Sequence, residues 1–267
     1  MSSKHLINFL IDVNLGDTNM SSYDIQNKTA LVTGANRGIG KVIVESFLEN
    51  GASKVYAGVR TIESANPLIE KYGDRVEAVQ IDLAKPESIV SAAEKLKDVE
   101  VVVNNAGVLL NSDPLDDNAV NNLSYEMNIN VNGLLRMAQA FAPVLKNNGG
   151  GVLVQLNSVA SIKNFLPFTT YSASKAAAYS VTQGLKDSLA EQGTQVISVH
   201  PGPIATDMAD AAGIGEIAES PTLVSDGIIA AMNSGEFHVF PDTMARQFQS
   251  AYQDYAENII QANLMEG

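Results

Sequence analysis

The sequence predicts an α/β domain built around one parallel sheet, and three observations carry that prediction. Short apolar runs of strand character alternate with longer segments of helical periodicity between about residues 28 and 240. Some of these runs, Val101-Val102-Val103 among them, are apolar without alternation, as expected of strands covered on both faces. A glycine-rich stretch at residues 33–40 separates the first run from the helical segment after it.

Strands are predicted over residues 30–33, 54–57, 76–81, 99–103, 152–156, 195–199 and 237–240, and helices near 40–50, 62–72, 87–97, 117–146, 171–191 and 222–233. Right-handed crossovers between successive strands then give a doubly wound parallel sheet of seven strands with helices on both faces. Pro86-Glu87 suits a first helical turn, where proline is tolerated and an acid is favourable. Asn147-Asn148-Gly149-Gly150-Gly151 ends the long helix and turns into the fifth strand. Residues 202–221 are rich in Gly, Ala and Pro, lack strong periodicity, and read as a mobile loop after the sixth strand. No linker, repeat or low-complexity stretch divides the chain, so residues 20–267 read as one domain. Residues 1–19 read as an N-terminal extension, either loosely held or forming a short helix at the surface or an oligomer contact. Their apolar stretch is interrupted by Asn8, Asp12 and Asn14, which argues against a signal peptide.

Composition narrows the function classes. Among 267 residues, 45% are hydrophobic, enough for a full core, and no run approaches the length of a membrane-spanning helix. Cysteine is absent, which excludes disulfides, thiol catalysis and cysteine metal sites and fits a reducing cytoplasm. His5, His200 and His238 are far apart in sequence and form no metal-spaced pair, so no metal site is expected. The net charge of −13, with no basic run, opposes nucleic acid and anionic membranes as partners. An anionic ligand would have to be held by local cations and backbone amides.

The stretch at 33–40 supplies such amides. Gly34, Asn36, Arg37, Gly38, Ile39 and Gly40 lie between a strand and an amphipathic helix, where backbone N–H groups and a helix N-terminus suit a pyrophosphate. The glycine spacing is G-x-x-x-G-x-G. The second strand ends Tyr56-Ala57-Gly58-Val59-Arg60, without the acid that would hold a ribose 2′-hydroxyl. Arg60, with Arg37 as a second cation, suits a 2′-phosphate and favours NADP(H) over NAD(H). The third strand ends Ile81-Asp82-Leu83, where Asp82 either hydrogen-bonds an adenine amine or caps the turn into the next helix.

Tyr171 and Lys175 stand one helical turn apart on one face. An ammonium beside a phenol favours the phenolate and draws the ordinary pKa of about 10 toward the working range, so Tyr171 is a candidate general acid/base. With residues 33–40 and this pair in view, the chain resembles the compact branch of the short-chain dehydrogenase/reductase family, which has a Rossmann-like fold, over residues 28 to about 240. Further motifs follow in order: Asn104-Asn105-Ala106-Gly107, Asn130 in Asn130-Val131-Asn132-Gly133, Ser158 thirteen residues before Tyr171, Pro201-Gly202 and Thr206. The resemblance implies that Asn105, Ala106 and Gly107 flank the cofactor, and that Pro201, Gly202, Ile204 and Thr206 lie near its nicotinamide. It implies a catalytic set of Asn130, Ser158, Tyr171 and Lys175. Ser158 would bond a carbonyl oxygen, Tyr171 would protonate it, and Lys175 would lower the phenol's pKa and bond the ribose. Asn130 would break its helix ladder and hold a relay water, its alternative being an ordinary helix-interior polar residue.

Substrate selectivity is expected from Leu109, Leu110, Phe165, Leu166, Ile204, Met208 and Ile214, which suit a hydrophobic aldehyde or ketone, or the corresponding alcohol; the alternative is that these residues pack the core or an interface. Ala173, Ala176, Ala177 and Ala178 permit close helix approach, and the resemblance implies a homodimer or homotetramer. Phe248, Tyr252, Tyr255, Ile259 and Ile260 have helix-like spacing and should pack on the body or on a neighbour. The competing function class is a non-catalytic dinucleotide-binding sensor or scaffold on the same fold.

Overall fold

A computed structural model describes residues 22–261; the expectations for residues 1–19 lie outside these. Seven strands form one sheet: β1 (Thr29–Thr33), β2 (Lys54–Val59), β3 (Val76–Gln80), β4 (Val101–Asn104), β5 (Val152–Leu156), β6 (Gln195–Val199) and β7 (His238–Val239). Their order is β3-β2-β1-β4-β5-β6-β7, and every pairing is parallel. The order reverses between β1 and β4, which opens a crevice at the carboxyl ends of the strands.

The unbroken apolar runs are explained by two cores. Ala30 and Val32 of β1, Val101 and Val103 of β4, and Val152 and Val154 of β5 face one core. Leu31, Val102 and Leu153 face the other. The first core is closed by α1 (Gly38–Glu49) through Ile43 and Phe47, by α2 (Asn66–Tyr72) through Leu68, and by a helix near the C-terminus described below. The second is closed by α3 (Pro86–Lys95) through Ile89 and by two long helices, also below. Two glycines in the first turn of α1 each cost about 1 kcal/mol of helix stability relative to alanine. Fully burying Ile43, Val44 and Phe47 contributes about 1.5–3 kcal/mol apiece, so packing decides the element.

The single helix expected over 117–146 is three pieces. Helix α4 (Ala119–Glu126) passes through a π turn (Met127–Asn132) into α5 (Gly133–Asn147). The π turn inserts extra backbone without interrupting the apolar pattern, so periodicity alone reads straight through it. Helix α6 (Thr169–Ala190) carries Tyr171 and Lys175 in its first two turns. The segment expected near 62–72 opens as a 3₁₀ turn (Ile62–Ala65) before α2.

Residues 202–221 are not a bare loop. They hold α7 (Asp207–Ala211), capped by the Thr206 hydroxyl, and a 3₁₀ turn (Gly215–Ile217), and Ile204 bridges to Glu219. Helix α8 (Thr222–Ser234) then closes the first core through Val224, Ile228 and Met232. The tail forms α9 (Thr243–Tyr255) and a π turn (Ala256–Ile260). Phe248 and Tyr252 pack on the body, whereas Tyr255 and Ile259 are exposed. Among the described residues, no helix is long and apolar enough to cross a membrane.

Candidate active site

The phosphate turn is tied to the end of β4. Asn105 Nδ2 donates to the Thr33 carbonyl at 2.9 Å, and the Thr33 hydroxyl accepts from the Asn105 and Ala106 amides at 3.0 and 3.1 Å. Gly34 and Gly38 take positive φ values of 65° and 54°. A Cβ on Gly40 would collide with the Gly34 carbonyl and lie 2.5 Å from Asn105 Nδ2. No side chain caps the first turn of α1, so its amides remain available to an anion. These glycines and uncapped amides fit the pyrophosphate of a dinucleotide.

The two arginines differ in their surroundings. Arg60 is exposed just beyond β2, and its carbonyl accepts from the Gln80 amide. Arg37 pairs with Asp207 of α7 at 2.8 Å, an exposed contact across the mouth of the crevice. Asp82 stands in the turn between β3 and α3, where its side chain makes a local bond and does not cap the helix itself. Its Oδ1 accepts from the Ala84 amide at 3.0 Å, its own amide donates to the Ser88 hydroxyl at 3.0 Å, and Pro86 opens α3. The buried Leu83 side chain packs beneath Gly133. Ile204, expected to line the crevice, is only 4% exposed and joins the first core. Leu109, Leu110, Phe165 and Ile214 are half-buried, Leu166 and Met208 are exposed, and Phe165 lies 6.4 Å from the ring of Phe248.

Ser158 follows β5 in a short capped turn. Its Oγ accepts from the Ala160 amide at 3.1 Å and donates to the Pro201 carbonyl at 3.3 Å. Ser161 bonds the Ser158 carbonyl, and His200 Nδ1 meets both Ser161 Oγ, at 3.0 Å, and that carbonyl, at 3.2 Å. Pro201-Gly202 is anchored separately, the Gly202 amide donating to Asp242 Oδ2 at 2.7 Å. Asp242 is fully buried and also caps α9.

Asn130 lies in the π turn and holds three partners. Its Oδ1 accepts from the Val108 amide, and its Nδ2 donates to the Val108 carbonyl and to Ser174 Oγ, each at 2.9 Å. A Cβ on Gly107 would stand 3.1 Å from Asn130 Oδ1, a tight contact, and 3.7 Å from Lys175 Nζ, an ordinary one.

Lys175 Nζ lies 5.7 Å from the centre of the Tyr171 ring and donates to the Leu156 carbonyl at 2.7 Å. The expected lowering of the phenol's pKa is corrected here. Burial pushes Tyr171 up to about 12, the Ser158 hydroxyl pulls the other way, and the charge of Glu126 adds to the rise. Burial also brings Lys175 down to about 8. Desolvation is thus the largest influence on both groups.

Sequence reasoning missed three supports of this site. Glu126 lies four residues before Asn130 on one helical face, and an acid there, within an otherwise core-facing pattern, was the available signal. Asp242 directly before α9 had the signature of a helix cap. The distant spacing of His200 and His238 was misleading, because adjacent parallel strands bring their rings to 5.7 Å. His200 Nε2 meets Ser198 Oγ at 2.8 Å, and His238 Nε2 meets the Tyr179 hydroxyl at 2.6 Å.

Comparison with known proteins agrees with the geometry. Residues 28–216 match the short chain dehydrogenase family. An uncharacterized oxidoreductase of Staphylococcus saprophyticus is 32% identical over 193 residues, covering 70% of this chain and 82% of that protein. A short chain dehydrogenase from Burkholderia cenocepacia, solved in complex with NADP, is 34% identical with a TM-score of 0.80, covering 88% of this chain and 98% of its own. A short chain dehydrogenase/reductase from Burkholderia phymatum, solved in complex with NAD, shares the fold at 20% identity, with a TM-score of 0.78 and coverage of 90% and 97%. A glycine turn latched to β4, a Ser–Tyr–Lys group at the carboxyl edge of a doubly wound sheet, and a match across most of the chain make this protein a member of the short chain dehydrogenase family of oxidoreductases.

Proposed function

We propose that the protein interconverts a hydrophobic aldehyde or ketone and its alcohol, with NADP(H) as the hydride carrier. The observation that carries this reading is the convergence of Ser158, Tyr171 and Lys175 beyond the carboxyl ends of β5 and β6, next to the glycine turn. A bound nicotinamide supplies or takes up the hydride. The chain does the rest. Ser158 donates a hydrogen bond to the substrate oxygen and steadies the charge that develops there. Tyr171, protonated at neutral pH because burial raises it to about 12, gives its proton to that oxygen in the reductive direction. Lys175 holds positive charge beside the phenol and so favours the phenolate left after transfer. Asn130 fixes the wall of the site through Val108 and Ser174.

NADP(H) is favoured over NAD(H) because Arg60, and no acid, directly follows β2, and because the Burkholderia cenocepacia relative at 34% identity was solved with NADP. Arg37 would serve as the second cation. Its exposed pairing with Asp207 is worth about 0–1 kcal/mol, so a 2′-phosphate can displace it. The apolar character of Leu109, Leu110, Leu166 and Met208 supports a hydrophobic substrate. A homodimer or homotetramer in the cytoplasm completes the proposal, on the small-residue face of α6 and the absence of cysteine. The test is a panel of aldehydes, ketones and quinones followed by NADPH absorbance. Turnover with apolar or aromatic carbonyls is expected, and inertness across the panel in both directions would overturn the reading.

A further inference from the structure

Glu126 is fully buried, yet the chemistry above gives it no part. It ends α4, one turn before Asn130, and the two side chains form matching rungs. On the side of the segment after β4, Asn130 holds Val108 and Glu126 Oε1 accepts from the Leu110 amide at 2.8 Å. On the side of α6, Asn130 bonds Ser174, and the Glu126 carboxyl lies beside the hydroxyl of Thr170, four residues earlier, without closing a hydrogen bond to it. Tyr171 and Lys175 each directly follow one of these hydroxyl residues. The second rung is left open. Glu126 Oε2 and Thr170 Oγ1 are both buried without a hydrogen-bond partner. A buried carboxyl with one idle oxygen is costly, and a purely structural site would favour an apolar residue of similar volume.

We propose that Glu126 is a positioning residue for Tyr171: anchored by the Leu110 amide, its buried carboxyl braces the segment after β4 against the first turn of α6 at Thr170, the residue before the phenol. The proposal rests on the reading of Tyr171 as proton donor. Few other charges compete. On α6 the titratable neighbours are Tyr171 and Lys175; residues 105–112 and the π turn carry none, and Tyr125 on α4 is exposed. At the alkaline pH where the phenol ionises, Glu126 is negative, and a second negative charge nearby opposes the phenolate.

Glu126→Gln keeps the shape, the acceptor for Leu110 and a donor for Thr170 while removing the charge. With tyrosines isotope-labelled at the hydroxyl-bearing carbon, and Tyr171→Phe to assign the signal, the Tyr171 titration midpoint should fall by about one pH unit. Glu126→Ala removes the brace as well, and kcat should fall about tenfold or more with the NADPH KM nearly unchanged. Thr170→Val should lower kcat in the same sense and stands in for Glu126→Ala if that variant does not fold. An unmoved Tyr171 midpoint in Glu126→Gln, or wild-type kcat in the brace variants, overturns the proposal. The titration needs no turnover, so it fails independently of the oxidoreductase reading.

Discussion

A phenol and an ammonium one helical turn apart should ease each other into the charged state, yet here burial governs both. Tyr171 rises to about 12 and Lys175 falls to about 8, so near neutral pH the phenol holds its proton and the amine is mostly charged. That state suits reduction, in which a proton is delivered, and Lys175 loses its charge as pH rises through about 8. The spacing of the pair was legible because i and i+4 share a face in any helix; the sign of the phenol's shift was not, because desolvation depends on everything packed around it. Arg60 stands just beyond β2, and its role toward a 2′-phosphate belongs to the proposed function. Arg60→Asp should weaken NADPH binding about tenfold or more while leaving NADH within about twofold, read by cofactor titration. Equal effects on both cofactors would remove Arg60 from the 2′-phosphate. The Arg37–Asp207 pair joins residues 170 apart in sequence, and no local pattern announces it.

At the scale of elements, the strands were the most legible part, because two-sided burial leaves unbroken apolar runs. β7 is the exception; its two residues belong to a run, 237–240, whose aromatic and histidine side chains pack against α6 and α9. The π turn was invisible to periodicity, yet it stands at the hinge between the Glu126 rung and α5 and sets Asn130 toward Val108 and Ser174. The segment 202–221 was misread as a bare loop because Gly, Ala and Pro mask a capped turn, Thr206 before Asp207. That turn brings Thr206 against the phosphate turn, where a Cβ on Gly38 would stand 3.1 Å from Thr206 Cγ2. The N-terminus of this short helix is therefore packed against the glycine turn.

At the scale of the molecule, the buried His200 and the half-buried His238 make the fold acid-sensitive. Burial lowers His200 to about 3 and His238 to about 4, against an ordinary value of 6.5. Above 6.5 both are neutral whether folded or unfolded. Below it the unfolded chain takes up protons that the folded chain refuses, so stability falls as pH drops from 6.5 toward 4 and then 3. Each histidine contributes at most about 1.4 kcal/mol per pH unit. Urea unfolding at about pH 7 and about pH 5 should show the loss, and His238→Gln should lessen it. Equal losses in wild type and variant would assign the acid sensitivity elsewhere. The same packing that holds these histidines neutral holds the Ser158 turn through His200, so core and site share one network. In the proposed reaction Tyr171 presents a proton to a substrate oxygen, and the decisive measurement is turnover of NADPH with an accepted carbonyl by wild type and Tyr171→Phe at matched cofactor saturation. Tyr171→Phe should lose about a thousandfold or more in kcat while binding NADPH as tightly as wild type; activity within about tenfold of wild type would contradict Tyr171 as the proton donor.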